Sequence, residues 1–267
     1  QVFSLESRRK VDDGGVTFRS HVDGSEHRFT PENVLSFQED LGVDVAMTLD
    51  VCVKLPSEHA ELEAAVRRTN AWAERSTRAW RRGRTLLFAI VQGGLDEDLR
   101  ARSAEALVAL DLPGYAIGGL SVGESREEMA RLARHTAAML PERKPRYLMG
   151  VGTVRDVIAA IDAGIDMFDC VYPTRCGRTG RAITRDGDLN MMNARFVEDY
   201  GPLDPTCGCS VCATFSRAYL AHLFRSDEML GPRLLSQHNL ARLISIVEEA
   251  REAIEQKRWS SFRDGLL

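Results

Sequence analysis

The 267-residue sequence lacks any apolar run near the length needed to cross a bilayer, and it lacks a secretory signal region. It also has no internal repeat and no low-complexity linker. Hydrophobic residues make up 44% of the chain and charged residues 28%, which is typical of a folded globular enzyme. These features exclude a membrane-spanning or disordered chain, and they favour a location in the reducing cytoplasm.

An excess of positive charge is also missing, because the formal net charge is −4 and the pI is about 5.9. A polyanion would therefore have to bind a local basic patch. One such patch runs from Arg67 to Arg84, with seven arginines against one glutamate, and either a solvated helix face or an RNA contact explains it. A second patch, "TRCGRTGR", places arginines in a predicted glycine loop, and there we favour contact with phosphates.

A dinucleotide-binding turn is absent, since "GVGTVRD" matches G-x-G-x-x-G only in part. Instead, five short apolar runs alternate with helical patterns that begin near Glu58, Asp96, Arg126 and Val154. This alternation predicts a parallel sheet with crossover helices, and a (β/α)8 TIM barrel fits it best. The pattern supplies five of the eight strands. Hairpins are predicted in "VTFRSHVDGSEHRF" and "RAITRDGDLNMMN", and a long helix is predicted from Asn239 to about Arg258.

The segment "TCGCSVC" brings Cys207, Cys209 and Cys212 within six positions. In a reducing compartment this spacing indicates a tetrahedral zinc site rather than disulfides. We predict His238 as the fourth ligand, because it stands just before a predicted helix, and His222 is the alternative. His222 shares a helix face with Phe215 and Tyr219, which we expect to be a packing face. The site would be closed and structural, which argues against a hydrolytic zinc enzyme.

The segments "GVTFRSHVDGS", "YAIGGLSVGE", "YLMGVG" and "GIDMFDCVYPTRCGRTGRA", with the cysteine motif, closely resemble the queuine/archaeosine tRNA-ribosyltransferase family. The resemblance is strongest to its bacterial tRNA-guanine transglycosylases and covers essentially the whole chain. It implies one barrel domain over residues 1–267, N-terminally incomplete, with one structural zinc ion in an insert at 204–238. The implied reaction exchanges the wobble guanine of tRNAs with GUN anticodons, those for Asp, Asn, His and Tyr, for 7-aminomethyl-7-deazaguanine, a queuosine precursor.

By this resemblance Asp169 is the catalytic nucleophile that forms a covalent ribosyl-aspartate intermediate. Such a carboxylate suits the chemistry, because breaking the glycosidic bond develops oxocarbenium character at C1′. Asp50 is implied to read the guanine edge, since a carboxylate accepts two hydrogen bonds from N1–H and the 2-amino group. Arg175 and Arg178 are implied to bind phosphates of the tRNA anticodon loop.

Further base-site residues are carried over from the same motifs. Gln92 and the Gly119 amide match donors to the guanine O6 atom, and the Leu120 carbonyl matches the acceptor for the precursor's aminomethyl group. Tyr147 and Met149 match the side chains that sandwich the flipped base. The set predicts a pocket for a 7-deazaguanine base at the carboxyl ends of the strands.

Two departures from the family pattern stand out. Val51 replaces the glutamate of the usual bacterial triplet, whereas Cys52 and Val122 retain the bacterial pattern and favour the smaller precursor over queuine. The chain also begins at Gln1, without the family's "DSGG" segment and its general acid/base aspartate. We therefore expect the C-terminal part of a longer enzyme, with doubtful activity and stability by itself.

Two further expectations concern partners. Phe215, Tyr219 and His222 match an aromatic and histidine cluster at the family's homodimer contact, so a homodimer is expected. The alternative to an enzyme is a non-catalytic RNA-binding or scaffold subunit of the same family. The presence of Asp169 argues against that alternative.

Overall fold

The computed structural model describes residues 8–266, and internal contacts divide the chain into two compact units. The first unit consists of residues up to Val151 together with Ala159–Phe168. The second consists of Gly152–Ile158 together with the residues from Asp169 onward. No helix of the described residues is long and apolar enough to cross a membrane.

The first unit begins with a three-stranded antiparallel sheet in sequential order. Its strands are β1 (Arg9–Asp12), β2 (Gly15–Arg19) and β3 (Glu26–Phe29). The first predicted hairpin is confirmed as β2 and β3, with Gly24 in the connecting turn at a φ of 76°. Glycine adopts this positive φ without the steric penalty of a Cβ atom.

A five-stranded parallel sheet forms the centre of the first unit, and its strands pair in chain order. They are β4 (Val45–Met47), β5 (Leu86–Val91), β6 (Gly114–Ile117), β7 (Arg146–Leu148) and β8 (Met167–Phe168). Strands β5 and β6 are almost entirely buried, as expected when helices cover a parallel sheet. The five predicted strands are therefore confirmed, as a half-barrel with five of the eight strands of a TIM barrel.

Helices connect these strands, and most of the predicted helix starts are confirmed within one residue. The helices are α1 (Pro31–Asp40), α2 (His59–Ala79), α3 (Glu97–Val108), α4 (Arg126–Met139) and α5 (Val154–Asp162). Thr30 and Ser125 begin α1 and α4 with reciprocal capping boxes, and Asp96 accepts a hydrogen bond from Leu99 N at the start of α3.

The second unit is mostly helical, with one antiparallel hairpin. Its elements after β8 are α6 (Tyr172–Arg178), β9 (Arg181–Thr184), β10 (Gly187–Asn190), α7 (Ser210–Thr214), α8 (Arg217–Arg225), α9 (Leu230–Glu255) and α10 (Trp259–Asp264). The hairpin of β9 and β10 confirms the second predicted hairpin. Asn239 on α9 links neighbouring segments, because its side-chain amide donates to Pro173 O and Arg181 O and accepts from Ile183 N.

Two predictions about local structure in this unit are wrong. Helix α9 begins at Leu230, nine residues before the predicted start at Asn239, because Pro232 falls in its first turn, where proline is tolerated. Arg175 and Arg178 lie on the short helix α6 and not in a glycine loop. Gly177 fits this helix against α9, since a Cβ there would meet the backbone N and Cα of Ser236 at 2.6 Å.

Candidate active site and metal centre

The residues of the first unit that we predicted to bind the base lie at the carboxyl ends of four neighbouring strands. Asp50 follows β4, Gln92 follows β5, Gly119 follows β6 and Met149 follows β7. The ladder continues just past the strands, where Gly118 N donates to Val91 O at 3.0 Å and Met149 N donates to Ile117 O at 3.2 Å. Parallel strands thus bring side chains from distant parts of the sequence to one edge of the sheet, where such folds bind ligands.

Asp50 and Gln92 are in direct contact, since Gln92 Nε2 donates to Asp50 Oδ2 at 2.7 Å. Gln92 is 3% exposed, so its amide is held in place by the surrounding protein. Burial raises the pKa of Asp50 to about 6, although the bond from Gln92 acts in the opposite direction. Desolvation outweighs this hydrogen bond and the smaller interactions that also lower the pKa. The pair can offer two carboxylate acceptors beside an amide group.

The turn after β6 approaches this pair closely. A Cβ atom on Gly118 would lie 2.6 Å from Gln92 Nε2, and one on Gly119 would collide with Gln92 Oε1. Gly119 also has a φ of 65°. Only glycine satisfies both the close approach and the positive φ at Gly119. Its backbone amide is therefore next to the side chain of Gln92.

A carboxylate fixes the next residues of this loop. Glu124 accepts a hydrogen bond from Ser121 N through Oε1 and another, at 3.0 Å, from Val122 N through Oε2. Ser121 adopts a φ of 61°, which is uncommon for a residue other than glycine. Leu120 precedes this turn and is 4% exposed. The position of its carbonyl group therefore depends on a turn with a defined conformation.

Tyr147 and Met149 stand two positions apart at the end of β7. Alternation along a strand places them on the same face of the sheet, while Leu148 between them is fully buried on the other face. Both are half-buried. Their placement is compatible with contact to a planar base.

Val51 occupies the position where the family pattern has glutamate. Its side chain packs against a small apolar cluster with Val16, Leu49 and Trp72, and its backbone N donates to Thr69 Oγ1 at 3.0 Å. A glutamate in this cluster would need a partner to offset its desolvation. The neighbouring Cys52 is buried, and desolvation raises the pKa of its thiol to about 11.

The basic stretch from Arg67 to Arg84 forms ion pairs within the first unit. Arg68 pairs with Asp13 at 3.0 Å, Arg75 with Glu32 at 2.7 Å and Arg84 with Asp44 at 3.2 Å. Arg81 pairs with both Glu39 and Asp40. Arg82 lies over the Trp80 ring at 5.2 Å. Most of the predicted basic patch is therefore neutralised by acidic residues of the same unit.

Asp169 belongs to the second unit and directly follows β8. Its side chain is exposed, and α6 begins three residues later. Arg175 and Arg178 are both exposed on α6. Because they are three positions apart on a helix, they lie on the same face. The side chains of Asp169, Arg175 and Arg178 are thus all exposed within this segment.

The predicted metal ligands come together in the second unit. One ligand atom from each of Cys207, Cys209, Cys212 and His238 lies within 4.8 Å of every other. His238 is fully buried on α9, not before it as predicted, and its Nδ1 atom is 3.5 Å from Cys209 Sγ and 3.3 Å from Cys212 Sγ. His222 is exposed on α8 and is not part of this group.

The chemistry of this cluster fits a tetrahedral ion. With metal–sulfur bonds of about 2.3 Å and metal–nitrogen bonds of about 2.0 Å, a sulfur–nitrogen edge measures about 3.5 Å, close to the observed separations. His238 Nε2 lies 2.9 Å from Ile183 O, which can only accept, so Nε2 carries the proton and Nδ1 presents its lone pair to the thiols. The four residues could therefore hold a metal.

The predicted packing face of Phe215, Tyr219 and His222 is buried only in part, because Phe215 packs against the core of the second unit whereas the other two side chains are exposed. Tyr219 is 38% exposed and His222 is exposed, whereas the buried residues of α8 are Ala218, Leu220, Ala221 and Leu223. The Tyr219 ring stacks on Phe215 with centroids 5.3 Å apart. The aromatic pair is thus presented at the surface of the second unit.

No prediction was made from the sequence for Arg100 or Glu124, although both contact the loop that carries Gly119 and Leu120. Arg100 occupies the buried face of α3 together with Leu99, Ser103, Ala104 and Leu107. An arginine within an otherwise apolar helical stripe is the signal that would have singled it out. Glu124 accepts hydrogen bonds from two backbone amides of the preceding turn, and no residue next to it in the sequence predicts that turn.

Comparisons with known proteins identify the family of the chain. A family model described as "Queuine tRNA-ribosyltransferase" matches residues 1–267. The chain is 51% identical to a queuine tRNA-ribosyltransferase of Herpetosiphon aurantiacus over all of this chain and 68% of the relative. It is 51% identical to that of Thermus thermophilus over 98% of this chain and 68% of the relative, and 49% identical to that of Dehalococcoides mccartyi. The chain belongs to the queuine tRNA-ribosyltransferase family.

Proposed function

We propose that the protein is a tRNA-guanine transglycosylase, a pentosyltransferase that exchanges the wobble guanine of tRNA for 7-aminomethyl-7-deazaguanine in queuosine biosynthesis. The observation that carries the proposal is the contact between Asp50 and Gln92 beside the Gly118–Gly119 turn. This group of acceptors and donors is complementary to the edge of guanine, which has two adjacent donors and one carbonyl oxygen.

The hydrogen-bonding pattern explains the choice of base. Ionised Asp50 accepts from N1–H and the 2-amino group of guanine, and adenine lacks both donors in that arrangement. Gln92 has two amide protons, so one can remain on Asp50 while the other turns to the base. Gly119 N–H is the further donor to O6, the Leu120 carbonyl accepts from the aminomethyl group, and Tyr147 and Met149 sandwich the ring.

The exchange itself is assigned to Asp169. Its carboxylate oxygen forms a bond to C1′ of nucleotide 34 while the C1′–N9 bond breaks, and the departing guanine takes the electron pair and then a proton. The incoming base attacks the same carbon through its own ring nitrogen, loses a proton and releases the carboxylate. The RNA backbone is not cut in either step. Arg175 and Arg178 are proposed to bind phosphates of the anticodon loop.

The metal is proposed to be one zinc ion held by Cys207, Cys209, Cys212 and His238. Three thiols and an imidazole that crowd around one point leave no vacant position for substrate, so zinc supplies cross-linking of the chain and no catalytic step. The zinc-binding insert is assigned to residues 204–238, within a single barrel domain over 1–267. Its ligands come from the loop before α7, from α7 and from α9.

A homodimer is proposed through the aromatic face of the second unit. The exposed rings of Tyr219 and Tyr200 and the half-buried ring of Phe215 line one surface depression. Sedimentation velocity of Tyr219→Ser should show a larger monomer fraction than the unmodified chain. Phe37→Ser, which removes an exposed aromatic of α1 in the first unit, is the matched control and should sediment like the unmodified chain. An unchanged dimer in Tyr219→Ser would contradict this face.

Guanine exchange provides the test of the function. The chain is incubated with labelled guanine and an anticodon stem-loop carrying guanine or adenine at position 34, and label should enter only the guanine-bearing RNA. An RNA adduct that survives denaturation should form with the unmodified chain and disappear in Asp169→Asn. Asp186→Asn, at the exposed tip of the β9–β10 hairpin, should retain it. Binding of the RNA without label incorporation or adduct would instead support a non-catalytic RNA-binding subunit.

A further inference from the structure

Arg100 is fully buried in the first unit, although arginine is among the residue types that are least often buried completely. In the described part of the chain, its guanidinium group donates only to backbone carbonyls. Nε donates to Gly94 O at 2.8 Å, and Nη2 donates to Gly118 O at 3.2 Å and to Gly119 O at 3.3 Å. Within residues 8–266, no carboxylate lies within ion-pair distance of it, and Nη1 has no hydrogen-bond partner. Burial of such a charge is costly and requires a specific reason.

The three carbonyls belong to the two glycine turns that follow β5 and β6. The first turn packs tightly on Arg100, because a Cβ atom on Gly93 would lie 2.7 Å from both the backbone N and Cγ of Arg100. The second turn includes Gly119, whose amide lies beside Gln92. One guanidinium group therefore ties together two loops that contribute to the base site.

The geometry of a trans peptide relates Arg100 to the base-facing amide. The carbonyl of Gly118 and the N–H of Gly119 belong to one planar unit and point in opposite directions. A cation held on the Gly118 oxygen therefore fixes the direction of the Gly119 N–H and polarises it, which strengthens it as a donor. Burial lowers the pKa of Arg100 to about 10, so the group remains charged at neutral pH.

We infer that Arg100 is a positioning residue for base exchange, which orients the Gly118–Gly119 peptide and strengthens the Gly119 donor toward the departing guanine. This inference rests on the proposed function. The departing guanine takes the electron pair of the glycosidic bond, and part of that negative charge develops on O6. A polarised donor at O6 stabilises the transition state more than the bound ground state. Loss of Arg100 should therefore lower kcat more than it raises KM for guanine.

The test compares Arg100→Met and Arg100→Lys with Arg102→Met in labelled-guanine exchange, with circular dichroism to confirm folding. Arg102 lies two positions away on the same helix, is exposed and pairs with Glu63 at 3.3 Å, so it controls for loss of an arginine from α3. We expect kcat of Arg100→Met to fall by about 10- to 100-fold, less than the loss of a direct oxyanion donor. KM for guanine should change by less than kcat.

Arg100→Lys should recover part of kcat, because an ammonium group can hold one of the two carbonyls. Arg102→Met should stay within about twofold of the unmodified chain, as for a surface substitution. A kcat of Arg100→Met equal to that of Arg102→Met, a change confined to KM, or failure of both Arg100 variants to fold would overturn the inference. Absence of exchange in the unmodified chain would instead count against the proposed function.

Discussion

Gln92 Nε2 donates a 2.7 Å hydrogen bond to Asp50 Oδ2, and no other side-chain donor to this carboxylate is present among the described residues. A desolvated carboxylate with a single amide donor has a raised pKa, here about 6. Because Asp50 has few donors of its own, its other lone pairs are available to a base. The same lack of donors, together with desolvation, makes the ionised form of Asp50 unfavourable in the free protein. Two predictions depend on this conflict.

The first prediction is a pH dependence of base recognition. Because only ionised Asp50 accepts from both guanine donors, kcat/KM for guanine should be constant above pH 7 and fall as the pH drops below about 6. One unit below the pKa, the ionised fraction and kcat/KM should both be about tenfold lower. Anticodon stem-loop affinity, measured at each pH by fluorescence anisotropy, is the control. A flat kcat/KM between pH 5 and 7 would show that Asp50 is ionised throughout or does not read the base.

The second prediction is that Asp50→Asn abolishes guanine exchange and stabilises the fold. A pKa raised from 3.8 to about 6 means that the folded state binds the proton more tightly, so stability is lost as the pH rises from about 4 through 6. At neutral pH this cost is roughly 3 kcal/mol, and asparagine removes it while keeping an acceptor for Gln92. Urea denaturation at pH 7.5 and pH 4 should show a gain at the higher pH only.

Asp44→Asn serves as the comparison for that variant. Asp44 precedes the same strand, but its side chain is 85% exposed, and it should change the unfolding free energy by less than about 0.5 kcal/mol. If Asp50→Asn were destabilised at pH 7.5 relative to Asp44→Asn, the carboxylate would be a stabilising group and the argument from desolvation would be wrong.

The third prediction concerns the metal centre. Cys209→Ser should remove a ligand and weaken metal binding by more than the roughly 10- to 100-fold typical of an outer-shell partner, so the purified variant should contain little zinc by mass spectrometry. Because the ion would bind only the folded chain, chelation should lower the urea midpoint of the unmodified protein. Cys176→Ser, a buried cysteine outside the cluster, should retain the metal. Equal zinc content in both variants would refute the ligand assignment.

Local signals in the sequence were sufficient to predict much of the fold. Thr30, Asp96 and Ser125 are helix caps whose side chains act within three residues, so the pattern alone locates the helix starts. The thiol ligands were equally local, since three of them fall within six positions. His238 required a guess about a distant segment. The structure places His238 in the cluster, as predicted, but within α9 and not before it.

Features created by long-range packing could not be predicted in the same way. Nothing next to Arg100 in the sequence shows that it donates to carbonyls 18 and 19 residues away. The raised pKa of Asp50 likewise follows from burial between elements that are far apart in the chain. The periodicity that places Tyr219 and His222 on one face of α8 likewise does not show what covers that face.

The fourth prediction concerns the arginine stretch from Arg67 to Arg84. Variants of Arg75 and Arg78 can distinguish a structural role of this stretch from contact with RNA. Arg75 Nε and Nη2 bind the two oxygens of Glu32 at 2.7 Å, and Nη1 donates to Asp13 O and Gly14 O. Arg78 is exposed, and no ion pair is present for it in the described part of the chain. Arg75→Met should therefore cost about 1–2 kcal/mol of unfolding free energy, since bidentate geometry strengthens the pair while partial exposure screens it.

Arg78→Met should leave the unfolding free energy within about 0.5 kcal/mol of the unmodified chain. Because most cations of this stretch are already paired with acidic residues of the same unit, neither variant should change how stem-loop affinity depends on salt. The measurement is fluorescence anisotropy over a salt series, with urea denaturation for stability. The logarithm of the affinity falls linearly with the logarithm of the salt concentration, and each phosphate contact that is lost reduces the magnitude of this slope by about one. A decrease of that size in Arg78→Met would assign Arg78 to a phosphate and refute a purely structural role for the stretch.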